Sequence, residues 1–160
     1  MKLFEKQAKI QGVEIKPLKV IPDERGRLME ILRSDEPIFE KFGQVYVTTA
    51  HPGVVKAWHY HKIQADHWVC LAGRARIGLY DAREDSSTYR HINEFFMTPE
   101  DPFLIKIPVL VYHGFSGAHP SMDTMIMNVP TTPYNYAAPD EYRVAADEPT
   151  IPFDWRTPVK

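Results

Sequence analysis

Apolar residues recur along this chain in short runs broken by turn residues, without the three-to-four spacing of an amphipathic helix. The runs are "GVEIKPLKVI", "GRLMEIL", "GQVYVTTA", "GVVKAWHYH", "DHWVCLAG", "RARIGLYD", "FLIKIP", "VYHGFSG" and "DTMIMNVP". In "RARIGLYD", Ala75, Ile77 and Leu79 alternate with Arg74, Arg76, Gly78 and Tyr80. One face is apolar and the other largely polar, as in a strand covering one side of a barrel. Fourteen prolines argue against long helices, because each removes a backbone donor. "SDEPIFEKFG" predicts a short helix capped by Ser34 or Asp35, and a helical turn is expected near "PDEYRV". The pattern predicts an all-β sandwich or barrel over about residues 13–130, then an irregular arm over about 131–160 rich in Pro, Asp and Tyr. No repeat or linker interrupts it, so residues 1–160 read as a single domain.

Composition narrows this picture. With 160 residues and 44% hydrophobic content the chain can bury one continuous core. A net charge of −2 without long runs of either sign gives no reason to expect nucleic acid or an anionic membrane as partner. Cys70 is the only cysteine, which excludes an intrachain disulfide and suits a reducing compartment. The opening "MKLFEKQAKIQGVEIK" lacks the apolar run of a signal peptide, and no segment is long enough to span a bilayer. A soluble, cytoplasmic protein is expected.

The chemistry concentrates in "GVVKAWHYHKIQADHWVCLAG", residues 53–73. His59 and His61 are two apart on a strand and so project to the same face. The Gly53, His59, His61, Asp66, Gly73 spacing resembles the first motif of the cupin superfamily, with Asp in place of the usual Glu. "IPVLVYHGF" resembles the second, with Leu110 in place of its glycine, and supplies His113. By spacing alone two readings stand. His59, His61, Asp66 and His113 form an N/O set suited to Zn, Mn, Fe or Ni; or the imidazoles are hydrogen-bonded residues lining a polar cavity.

Over residues 13–155 the chain resembles the dTDP-4-dehydrorhamnose 3,5-epimerases and related nucleotide-sugar cupins. "DERGRLMEI" is similar to the family's D-x-RG-x-x-x-E, and "GQVYVTTAHPGVVKAWHYHK" to the stretch ending R-G-L-H-Y-Q. "YDAREDSSTY" matches D-x-R-x-x-S-P-T, "IPVLVYHGF" matches P-x-G-x-A-H-G-F, and "PYNYAAPDEYRVAADEPTIPFDW" matches the closing segment. The resemblance implies a cupin double-stranded β-helix, or jelly-roll barrel, with short helical segments. It implies chemistry without metal or other cofactor: a proton is removed next to the ketone of an NDP-4-keto-6-deoxyhexose and returned on the other face. It also implies a homodimer sharing N-terminal strands, so that Arg25 serves the partner's cavity.

Carried over residue by residue, the resemblance makes His59 the catalytic base and Asp147 its orienting carboxylate. Arg25 and Lys56 become contacts to the nucleotide diphosphate, with Gln44, His61, His113 and Tyr136 also at the substrate. Three departures bear on the reaction. His61 replaces the family's Gln, and Asp66 stands where a lysine helps the sugar oxygen. The tyrosine expected as reprotonating acid aligns near Asn128, with Tyr134 and Tyr136 following closely. Epimerisation at one or two centres and ketoisomerisation, which "HYHK" resembles in the 3,4-ketoisomerases, stay open. The alternatives are a metal-dependent cupin enzyme and a non-catalytic sugar-nucleotide-binding cupin. Trp58, Trp68, Phe95, Phe96 and Phe103 are expected in the core or an interface rather than as sugar platforms.

Overall fold

The turn-delimited apolar runs become strands in the computed structural model, which describes residues 9–156. In chain order these are β1 (Glu14–Pro17), β2 (Val20–Asp23), β3 (Gly26–Met29), β4 (Tyr46–Ala50), β5 (Val55–Tyr60) and β6 (Asp66–Ala72). There follow β7 (Ala75–Asp81), β8 (Ile92–Met97), β9 (Phe103–Ile107), β10 (Val111–Gly117), β11 (Thr124–Asn128) and β12 (Tyr142–Arg143). One five-stranded sheet runs β1-β9-β6-β11-β4 and the other β12-β5-β10-β7-β8; β2 and β3 form a separate hairpin. All the pairings between these strands are antiparallel. This is the jelly-roll barrel of the cupins, closed by two sheets whose inner faces share one core.

That core contains the inward residues of both sheets, among them Val69, Ile77, Leu79, Phe95, Phe103, Ile105, Phe115 and Ile126. The polar face expected for β7 is buried as well. Trp58, Tyr80, Ile151 and Trp155 form a second apolar cluster, with Phe153 packed against it. The C-terminal arm thus covers the outside of this sheet. Arg76 is taken up there: its Nε lies 2.5 Å from Glu94, its Nη1 donates to the Arg156 carbonyl at 3.1 Å, and its guanidinium lies over Phe153.

No helix forms among the described residues, which corrects the two helical expectations. Residues 34–38 make turns: Pro37 interrupts the segment, and Glu36 is held by Lys16 Nζ at 2.5 Å and by the Arg33 N–H at 3.2 Å. "PDEYRV" instead supplies β12, pairing Tyr142 with Tyr60 and Arg143 with His59. No helix among the described residues is long and apolar enough to cross a membrane.

Candidate active site

Strand β5 delivers the histidines. His59 points inward and pairs in register with His113 on β10, and their ring centroids are 4.1 Å apart. Lys56 pairs with Phe115, so the three-residue step from 56 to 59 on β5 faces a two-residue step on β10. Residues three apart on a regular strand point to opposite faces; this irregularity lets both Lys56 and His59 face the barrel interior. Gly114 lies inside it, and a Cβ there would stand 2.5 Å from Ala57 Cβ and 2.7 Å from the Lys56 carbonyl oxygen.

Around these residues is a cavity of about 790 Å³, open to solvent. Gln44, Tyr46 and Thr48 reach it from the β4 side, Lys56, His59 and His61 from the β5 side, and Asp140, Glu141 and Arg143 from the arm. Lys56 Nζ donates to Thr48 Oγ1 at 3.0 Å, and Gln44 Oε1 accepts from the Tyr134 N–H at 3.1 Å. Burial, reinforced by the neighbouring His113, holds the His59 pKa well below the usual histidine range, so the ring is a neutral proton acceptor. No hydrogen bond of a His59 ring nitrogen occurs among the described residues, whereas the ring is stacked near Trp68 at 5.9 Å.

Below the lining lies Asp66, fully buried on β6. Burial opposes its charge, but His113 and His61 outweigh that and hold its carboxyl well below the ordinary range. Its Oδ1 accepts from Gln64 Nε2 at 2.9 Å. His61 Nδ1 donates to the Asp140 carbonyl, and the Asp140 carboxylate accepts the N–H groups of Lys62, Ile63 and Gln64 at 2.8–3.0 Å. Burial lowers the His61 pKa, but Asp66 and Asp140 raise it on balance. These four side chains, His59, His61, Asp66 and His113, place one potential ligand atom each within 4.8 Å of one another.

The resemblance-derived residues therefore divide. Gln44, Lys56, His59, His61 and Tyr136 line the cavity, and His113 lies buried behind His59. Tyr136 is 90% exposed, its ring packed edge-on against Tyr134. Asp147 is not brought to His59: it is exposed in the turn at 146–147, with no hydrogen bond or ion pair to that ring. The carboxylate next to the histidines is Asp66. Arg25 is at the tip of the β2–β3 hairpin, its side chain 81% exposed and paired with Asp23 at 2.6 Å, away from the cavity lining.

Sequence reasoning missed Tyr46. It pairs in register with Asn128, whose Nδ2 donates to the Tyr46 hydroxyl at 2.9 Å. The hydroxyl thus enters the neighbourhood where the family's tyrosine aligns, from the adjacent strand. Desolvation, with Asp66 nearby, pushes its pKa up to about 12 and keeps the phenol protonated. The signal was present, because Gln44, Tyr46 and Thr48 alternate along one face. Asp140 had no such signal.

A jelly-roll barrel with a histidine-rich cavity between its sheets defines a cupin with proton-transfer or metal-binding capacity. A family model described as dTDP-4-dehydrorhamnose 3,5-epimerase matches residues 7–160, and the chain belongs to that family. It is 40% identical over 148 residues to the Bacillus subtilis spore coat polysaccharide biosynthesis protein SpsL, covering 92% of this chain and 97% of that one. It is 40% identical over 154 residues to the Haloferax volcanii probable low-salt glycan biosynthesis epimerase Agl13, covering 94% and 97%. Among solved structures, a dTDP sugar isomerase from Desulfovibrio desulfuricans G20 superposes with a TM-score of 0.85 at 30% identity, covering 91% of this chain and 92% of that one. The Streptomyces bikiniensis 3'-monoepimerase ChmJ bound to dTDP-quinovose shares the fold, with a TM-score of 0.79 at 22% identity and 91% and 76% coverage.

Proposed function

We propose that the protein is a nucleotide-sugar epimerase or isomerase acting next to the ketone of an NDP-4-keto-6-deoxyhexose. The observation that carries this reading is a neutral, unpaired His59 facing a cavity large enough for a sugar nucleotide, in a chain of the epimerase family. His59 takes the proton from the carbon beside the ketone; the electron pair of that C–H bond forms the C=C bond of an enolate as the carbonyl π pair moves to the ketone oxygen. Tyr46 returns a proton to the carbon from the facing sheet; because Asn128 donates to its oxygen, its own proton is free for transfer. Lys56, with Arg143 on the arm side of the lining, meets the diphosphate.

In this reading the protein works as a homodimer in the cytoplasm. The exposed hairpin carries Ile21, Arg25 and Leu28 outward, and β4 is an open sheet edge with Val47 exposed. Pairing of copies there would bring Arg25 to the neighbouring cavity. The test is incubation in deuterated water with several NDP-4-keto-6-deoxyhexoses. Deuterium is expected beside the ketone, lost in His59→Ala and kept in the exposed control Lys19→Gln. No exchange with any of these substrates would overturn the reading.

A further inference from the structure

Asn128 is 0% exposed on β11, near the place where the family's tyrosine aligns. Its side-chain amide makes two hydrogen bonds of opposite polarity. The backbone N–H of His67 can only donate, so the side-chain oxygen must face it, and Oδ1 accepts there at 3.0 Å. That contact turns Nδ2 the other way, onto the Tyr46 hydroxyl oxygen at 2.9 Å. Tyr46 is in register with Asn128 on β4, one strand nearer the sheet edge. A flipped amide would offer its oxygen to the phenol, but it would leave the His67 N–H facing another donor, which is costly in a protein interior. The polarity of the contact with Tyr46 is therefore set by the backbone of β6.

We propose that Asn128 is a positioning residue for reprotonation: its Nδ2–H holds the Tyr46 oxygen through the proton transfer and stabilises the tyrosinate that the transfer leaves behind. This rests on the reading of Tyr46 as the acid. In that step the Tyr46 O–H bond breaks and its proton bonds to the carbon through the electron pair of the enolate C=C. The carbonyl re-forms, and the O–H electron pair stays on Tyr46. The hydrogen bond from Asn128 then ends on a charged oxygen, so it strengthens as the charge develops. Support is needed at that point, because burial and the carboxylates of Asp66 on β6 and Glu141 on the arm all oppose a negative charge on Tyr46, while the Asn128 hydrogen bond favours it. Lys56 and His59 line the same cavity from β5. Among the described residues no other group hydrogen-bonds to the Tyr46 oxygen.

The assignment also accounts for one departure from the family. Where relatives carry the tyrosine itself, β11 carries the amide that supports a tyrosine from β4, so the acid is relocated by one strand and not lost. Tyr46 and His59 both line a cavity open to solvent, and water resets the tyrosinate and the protonated imidazole after each turnover.

Asn128→Asp tests this with the least disturbance. The carboxylate keeps an oxygen for the His67 N–H and puts an acceptor in place of the donor facing Tyr46, where it takes up the phenol's proton. In deuterated water with NDP-4-keto-6-deoxyhexoses, the variant is expected to keep exchange beside the ketone and the wild-type KM. Its inverted product should form roughly 10- to 100-fold more slowly. In the Tyr46→Phe background the same substitution should add nothing, because its effect runs through the phenol. Wild-type inversion by folded Asn128→Asp, or a full further loss in the Tyr46→Phe background, would overturn the proposal and leave Tyr46 as the acid. A second measurement needs no change at Asn128. With the side-chain amides of Asn93, Asn128 and Asn135 labelled with nitrogen-15, one NMR signal should move on Tyr46→Phe substitution, and an unchanged set of three would overturn the contact. Failure of the wider reading looks different. Tyr46→Phe inverting at the wild-type rate would overturn the acid and this proposal with it, and wild-type protein without exchange on any of these substrates would overturn the function itself.

Discussion

Asp81 is where a family motif turns into a measurable stability. In "YDAREDSSTY" its carboxylate, 0% exposed, accepts from Arg83 Nε at 2.7 Å and Nη2 at 2.8 Å, from Ser86 Oγ at 2.6 Å and from Thr88 Oγ1 at 2.7 Å. The motif residues thus clamp the β7–β8 loop, and Thr88 extends the clamp by accepting the Gln11 N–H at 2.8 Å. Burial alone would raise the Asp81 pKa, but Arg83, Ser86 and Thr88 outweigh it and bring it from 3.8 to about 2. A carboxylate whose folded pKa is depressed contributes stability that is present above the unfolded pKa and lost as pH falls toward the folded one. The shift of roughly 1.8 units corresponds to about 2.4 kcal/mol in full. About 1 kcal/mol of it is lost by pH 3 and about 2 kcal/mol by pH 2. Urea unfolding of wild type and Asp81→Asn at pH 6 and pH 3 measures this share directly. The variant is expected to be less stable at pH 6, and its loss between the two pH values should be smaller than that of wild type by about 1 kcal/mol. Parallel losses in the two proteins would refute the assignment of this clamp as an ionised carboxylate.

Two further expectations concern the cavity. Gly114→Ala forces a Cβ into the Lys56–Ala57 backbone and should cost about 1–3 kcal/mol, with a larger loss of turnover because the irregularity that turns Lys56 and His59 inward is displaced; unchanged kinetics in the folded variant would count against that irregularity positioning the pair. Tyr46→Phe should leave solvent exchange beside the ketone in place but slow formation of the inverted product by roughly 100-fold or more, read by NMR of the sugar; inversion at the wild-type rate would assign the donor elsewhere.

Most of the barrel was legible because inward and outward positions alternate cleanly. Ala75, Ile77 and Leu79 alternate on β7, and β11 buries Thr124, Ile126 and Asn128 in the same period. Strand β8 escaped because Phe95 and Phe96 lie back to back, one in the core and the other under the Arg74 guanidinium, which hides the period. The supposed helix at 34–43 looked capped, yet Glu36 is engaged by Lys16 and Glu40 by Lys106, partners no local pattern reveals. In the site, period two correctly put His59 and His61 on one face. It could not put Lys56 beside them, since that needs the irregular pairing with β10. Asp147 was assigned through the resemblance; it is exposed in the turn at 146–147, whereas Asp66 on β6 stands against His61 and His113. Tyr46 was overlooked because its importance depends on a cross-strand partner 82 positions away.

The arm has a consequence for when the protein can work. Asp140 supplies the carbonyl that holds His61 and the carboxylate that closes the loop over residues 62–64, while Val144 pairs with Trp58 through two backbone hydrogen bonds of 2.9 and 3.1 Å. During synthesis the barrel strands leave the ribosome first, and these contacts arrive only once the arm has followed. A chain interrupted before residue 140 would carry all three histidines of the cavity and still lack the groups that aim one of them. Truncation before residue 140 is therefore expected to weaken turnover even where the barrel strands fold.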